Sequence, residues 1–160
     1  MKVVLWLFLS AYSINGMAAG KEVNCFDYRY IKVHQAPMLG LDGIAKAGVM
    51  RGGHPIILYD PQAVFSVGKQ TEWFIFLHEC AHHVLAHTTT ASRIEFEQAA
   101  DCWAIKKLST FIGFSQKDLQ LIQQQLIFMG VEDATHQSGR QRAENLQYCD
   151  GYSTQIAMGE

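Results

Sequence analysis

Apolar positions along this chain change their spacing near residue 70. Over 21–60 they fall in short runs rich in β-formers, Tyr28-Arg29-Tyr30-Ile31-Lys32-Val33 and His54-Pro55-Ile56-Ile57-Leu58-Tyr59. Gly40, Gly43, Gly48, Gly52 and Gly53 punctuate the stretch between, and Asp60-Pro61 stops the second run. The pattern predicts strands over 28–33 and 54–59. Pro55 has no N–H to give to a ladder, which predicts an edge position for the second strand. From about 70 the spacing becomes helical. One helix is expected to about 87. A second, capped by Ser92, should run to about 111 with Gly113 as its stop. A third starts at Ser115 with Asp118 and ends near Gly130, and a last one covers about 139–148. The expected fold is a small α+β domain, a short N-terminal sheet packed on a helical core.

Residues 1–20 read differently. Met1-Lys2 is a short positive start, Val3-Val4-Leu5-Trp6-Leu7-Phe8-Leu9 opens an apolar run, and small residues follow in Gly16-Met17-Ala18-Ala19-Gly20. This is the layout of a secretory signal peptide, with cleavage after Ala18 or Gly20. Ser10, Ser13 and Asn15 interrupt the run, which is too short to span a bilayer, and no other stretch is long enough. The expected division is a signal peptide over 1–20 and one domain over 21–160, with export to a periplasm or the extracellular space.

With 160 residues, 49% of them apolar, the chain can bury one core. Its formal charge of −2 offers no basic surface for nucleic acid. Cys25, Cys80, Cys102 and Cys149 all follow the signal segment, and an even number in an exported chain predicts disulfides. Three pairings are open. Cys25 and Cys149 lie near the two ends of the domain, and Cys80 and Cys102 each adjoin a candidate site residue, which favours Cys25–Cys149 with Cys80–Cys102.

The chemistry is concentrated in His78-Glu79-Cys80-Ala81-His82, an H-E-x-x-H pattern flanked by apolar residues on an expected helix. Positions i and i+4 share a helical face, so His78 and His82 can aim two imidazoles at one metal ion. Glu79, one position round, is placed to act as general base. Catalytic zinc takes three protein ligands. The histidine that metzincins carry downstream is missing here, since Thr88 occupies its position and Leu85 stands where the glycine is required. A carboxylate on the second helix should then complete the set. Glu97 and Asp101 are four apart and share a face. Glu97 is the expected ligand, and Asp101 is expected to accept a hydrogen bond from a ligand imidazole. Glu95 competes as ligand but has Ala99, not an acid, at i+4. A solvated acidic face is the plainer reading of both carboxylates. His83 and His87 are also four apart, rotated about 100° from the first pair. We read His83 as lining or solvated, His87 as a helix-end or packing residue, and His34 and His54 as ordinary polar side chains.

H-E-x-x-H followed by E-x-x-x-D resembles the gluzincin metallopeptidases. Thr135-His136-Gln137-Ser138-Gly139-Arg140-Gln141-Arg142 looks like the T-H-P-x-x-x-x-R motif of the family containing the CAAX prenyl endopeptidase and the bacterial membrane protease HtpX, and His87 also resembles a position in that family's helices. The resemblance spans about 70–148. Gln137 departs from it, standing where the family has proline. The resemblance implies a zincin-like domain with one Zn²⁺ held by His78, His82 and Glu97, Glu79 as base, and Asp101 behind the ligands. His136 and Arg142 would stabilise the oxyanion, with a salt bridge to Glu144 or a site carboxylate, ordering the loop of His136, as the structural alternative for Arg142. An edge strand beside the metal helix would pair with extended substrate. The expected function is a secreted zinc metalloendopeptidase acting on peptides or unfolded exported proteins. Its rival is a zincin-like metal-binding or chaperone module with little turnover, for which the intact Glu79 would be superfluous. A helical protein with a coincidental motif is the remaining alternative, and the E-x-x-x-D spacing argues against it.

Overall fold

The computed structural model describes residues 23–89, 93–110, 113–130 and 137–149, and the expected signal segment over 1–20 lies outside them. Three strands come first: β1 (His34–Pro37), β2 (Ala45–Val49) and β3 (Pro55–Tyr59). Five helices follow: α1 (Pro61–Ser66), α2 (Lys69–Val84), α3 (Ile94–Ser109), α4 (Gln116–Met129) and α5 (Gly139–Leu146), with a 3-10 turn, His87–Thr89, after α2. The domain is α+β, as the spacing predicted.

The strands differ from expectation in two ways. Residues 28–33 form no strand. Asp27 organises a turn there, its carboxylate accepting from the backbone N–H groups of Arg29 and Ile31 at 2.8 and 2.9 Å, and Tyr30 takes a left-handed φ of 63°. An isolated antiparallel bridge, Phe26 with Lys32, closes the turn. The sheet order is β1-β3-β2, so β3 is central rather than an edge. Pro55 is tolerated because it is the first residue of the strand, opposite Val49, where the missing N–H interrupts no interior rung. β1 runs parallel to β3 and β2 antiparallel to it, with Ile57 between Gln35 and Ala47.

Helix boundaries follow local chemistry. Asp60, read as a strand stop, is also the N-cap of α1, accepting from the N–H groups of Gln62 and Ala63, with Pro61 in the first turn. α4 begins in the expected Ser115–Asp118 capping box and ends on left-handed Gly130. Ser92, the expected cap of α3, lies outside the described residues; α3 follows Arg93, which makes no side-chain cap bond. Gly139 opens α5 hard against α4: a Cβ there would overlap the Leu126 carbonyl oxygen. That close approach sets where the rest of α5 points.

α2 is buried on two sides. Phe74, Ile75 and Leu77 join Ile105, Leu108, Leu119, Ile122, Leu126 and Leu146 in the interhelical core. Phe76 and Cys80 join Cys25, Val33, Ile57 and Val64 beneath the sheet. This two-sidedness decides the disulfides, which are Cys25–Cys80 and Cys102–Cys149, not the expected Cys25–Cys149 and Cys80–Cys102. Cys80 lies about 200° round the helix from His78. Since His78 faces α3, Cys80 faces away from α3 and meets Cys25 under the sheet. That rotation keeps Cys80 from reaching Cys102 and turns it away from the face that carries His78 and His82. Two disulfides fit an oxidising, exported compartment. No described helix is long and apolar enough to cross a membrane.

Candidate metal centre

α2 and α3 pack side by side and bring together the three expected ligands. His78 and Glu97 are buried and His82 is half-buried. His78 Nε2 lies 3.1 Å from His82 Nε2 and 3.1 Å from Glu97 Oε2, and His82 Nε2 lies 3.6 Å from Glu97 Oε1. Ligand atoms on a tetrahedral zinc with bonds of about 2.0–2.1 Å stand roughly 3.3 Å apart. The observed donor set matches that spacing, with two imidazole nitrogens and one carboxylate converging on one point. These three side chains can hold a metal ion.

The ligands are held from behind. Asp101, one turn beyond Glu97 on α3, places Oδ1 2.7 Å from His78 Nδ1. With its proton on Nδ1, His78 presents Nε2 to the ligand point. Arg142 of α5 grips the same carboxylate twice, Nε to Oδ2 at 2.9 Å and Nη2 to Oδ1 at 2.7 Å. A continuous line therefore runs from α5 through Asp101 to His78.

Electrostatics follow from this crowding. Burial alone would push the His78 imidazole down, but ionised Asp101 and the hydrogen bonds of Asp101 and Glu97 raise it to about 9. Burial opposes ionisation of Glu97 as well, yet hydrogen bonds from His78 and His82 hold it far below the usual carboxylate range. Asp101 is held at about 2, with burial overcome chiefly by the Arg142 charge and then by His78. Both carboxylates are thus anions at neutral pH, and the proton on His78 provides the positive charge a metal ion would displace.

Glu79 is half-buried and points to the other side. Its Oε2 accepts the backbone N–H of Ala47 on β2 at 2.6 Å. Met50 N–H bonds to the His54 carbonyl, toward β3, so by the alternation of an antiparallel pair Ala47 turns its N–H outward. The side of β2 that pairs with no strand among the described residues therefore faces Glu79. The edge strand expected beside the metal helix exists, but it is β2 and not β3.

The remaining histidines separate clearly. His83 is buried and sits 3.0 Å from the Ile56 carbonyl, a bond between α2 and the central strand; burial lowers its pKa, so it is a structural donor rather than a solvated side chain. His87 lies with Nδ1 3.2 Å from His82 Nδ1 and stacks on Phe96. His136 lies outside the described residues. Its neighbour Gln137 accepts from Gln98 of α3 at 3.1 Å and from Asn145 of α5 at 2.9 Å. A glutamine where the resembling family has proline thus ties the approach to α5 through its side chain. Sequence reasoning missed this, since amide bridges leave no spacing signal. It also missed Ala47, because every residue but proline carries the same N–H. The chain matches no protein-family model, no curated protein and no solved structure.

Proposed function

We propose that this protein is an exported zinc metalloendopeptidase of gluzincin type, cutting extended or unfolded polypeptide. The observation that carries the reading is the convergence of His78, His82 and Glu97 at ligand spacing, with the Glu79 carboxylate one residue away on the side of a sheet edge. Bound zinc would polarise a scissile carbonyl and make water more acidic. Glu79 takes the proton from the attacking water and hands it to the departing amine. The Ala47 N–H fixes one oxygen of that carboxylate and leaves the other for the proton. An extended segment laid along β2 would pair with the outward backbone groups of Ala45 and Val49, bringing its peptide bond past Glu79. Asp101 and Arg142 keep His78 aimed, which assigns Arg142 a holding role in addition to any part in oxyanion stabilisation. The two disulfides agree with export.

Two measurements test the reading together. The protein lacking 1–20 should take up one zinc ion per chain and cleave a reduced, unfolded protein substrate. Glu79→Gln should keep the ion and lose the cleavage, since an amide of the same shape is no base. A wild type that binds zinc and leaves every unfolded substrate intact would replace the peptidase reading with a metal-binding module. A wild type that takes up no zinc would remove the metal centre itself.

A further inference from the structure

His78 is aimed by Asp101. The second histidine ligand has a different partner. On a continuous helix a residue five positions on is rotated by about 140° and faces away. α2 instead stops at Val84. Ala86, a non-glycine residue, takes a left-handed φ of 59°, and the chain folds back into the 3-10 turn that begins with His87. The His87 ring then lies against His82, with centroids 5.3 Å apart, and stacks on Phe96 at 4.3 Å and 11°. Phe96 immediately precedes Glu97. His87 is thereby wedged between one ligand and the neighbour of another, and its Nδ1 reaches His82 Nδ1 at 3.2 Å.

Two ring nitrogens at that distance are bonded only when one of them carries a proton. If the proton sat on His87, His82 would keep its own on Nε2, the atom facing His78 and Glu97, and that nitrogen could not ligate. We propose that His87 is a positioning residue for the metal centre: its Nδ1 accepts the Nδ1 proton of His82 and so commits His82 Nε2 to the ligand point. This deepens the metal-centre reading and rests on it for the identity of the ligand point. The two histidine ligands are then aimed by unlike acceptors, an anion behind His78 and a neutral imidazole behind His82.

A simple packing role predicts the same neighbours, so the test separates ring from acceptor. His87→Phe keeps a ring to stack on Phe96 and removes the acceptor. His87→Asn puts an amide oxygen close to the place of Nδ1 and removes the ring. Zinc affinity is read by competition with a chromophoric chelator, and the His82 tautomer by nitrogen-15 imidazole shifts of the metal-free protein at pH 8. We expect His87→Phe to bind zinc about 10–100-fold more weakly and to lose the Nδ1–H preference of His82, with thermal stability retained. His87→Asn should restore both towards wild type. Wild-type affinity and tautomer in His87→Phe, or an Asn variant as impaired as Phe, would overturn the proposal. Should wild type bind no zinc, the peptidase reading fails separately, and the tautomer shifts still decide whether His87 aims His82.

Discussion

At the scale of single residues, Arg142 carries the sharpest distinction. Its two bonds end on an Asp101 side chain only 4% exposed. Removing one member of a buried, hydrogen-bonded pair leaves the other charge poorly compensated and costs about 3–5 kcal/mol. Arg142→Ala should therefore lower the stability of the metal-free protein by about 3 kcal/mol in denaturant melts, the lower end because Asp101 keeps His78. Zinc should also bind more weakly, because His78 loses its fixed partner. Arg142→Lys should recover only part of this, since one ammonium cannot reproduce a forked pair. An Arg142 that acted on the oxyanion alone would leave stability and metal binding untouched and lower only turnover, by about 10²–10³. The residues legible in the sequence were those whose chemistry depends on helical spacing. His78, His82, Glu97 and Asp101 could be placed because two four-residue steps put each pair on one face, and the structure brings all four together. Contacts set by tertiary folding were not legible in that way. A salt bridge of Arg142 with a site carboxylate is an expected alternative to its oxyanion role, but nothing local chooses Asp101, 41 residues back, over Glu144, or says that Gln137 bridges α3 and α5.

The strands are where element-scale reasoning gave way. Tyr28-Arg29-Tyr30-Ile31 has strand composition, but one acidic side chain outweighs it. Asp27 collects the Arg29 and Ile31 amides and the Arg29 side chain, and that local satisfaction of donors closes a turn. β2, Ala45–Val49, was hidden among glycines and alanines that carry no β signal; its pairing with β3 is decided by the hairpin, not by propensity. The helices were read more accurately, since α4 and α5 carry their own caps in sequence. The Asp27 turn makes a pH prediction. Burial pushes its carboxyl up, but the Ile31 amide and the Arg29 groups hold it below its ordinary value near 3.8. A folded-state pKa below the unfolded one contributes stability that is present above about pH 4 and lost as the pH falls through the folded value. Guanidinium melts of the metal-free protein between pH 7 and pH 2 should show wild type losing stability below pH 4. Asp27→Asn should start lower at pH 7 and lose less over the same acid interval. Parallel pH curves for the two proteins would mean that the carboxylate does not organise the turn.

Across the whole molecule, the disulfides divide the labour between the two sides of α2. Cys25–Cys80 fastens the segment before β1 to the sheet side, and Cys102–Cys149 fastens the end of α5 to the residue after Asp101. Their sequence separations, 55 and 47, are similar, so loop-closure entropy gives each a similar contribution, about 4 kcal/mol on the chain-entropy estimate. Their consequences for the metal centre should differ. α2 is held by the sheet on one side and by three helices on the other, so it should keep His78 and His82 in place when the first bridge is absent. α5 has eight residues, and besides the bridge it is held by Ala143 and Leu146 in the interhelical core, the Gln123 bond to the Ala143 carbonyl, the Gly139 approach to α4, the Gln137 amide bridges and the Arg142–Asp101 pair. Without the second bridge the disulfide tie between the residues after Leu146 and α3 is lost, and the looser seat of α5 should cost Arg142 and then Asp101 part of their register with His78. Peptide mapping of the unreduced protein should recover Cys25–Cys80 and Cys102–Cys149. The double variants Cys25→Ala with Cys80→Ala, and Cys102→Ala with Cys149→Ala, should lose comparable stability. Zinc affinity should fall about 10-fold or more only in the second, through the loosened partner of His78. Equal zinc affinities in the two variants would mean that the hold of α5 on Asp101 does not depend on its disulfide, and that the core packing of Ala143 and Leu146, the Gly139 contact and the amide bridges suffice to seat Arg142.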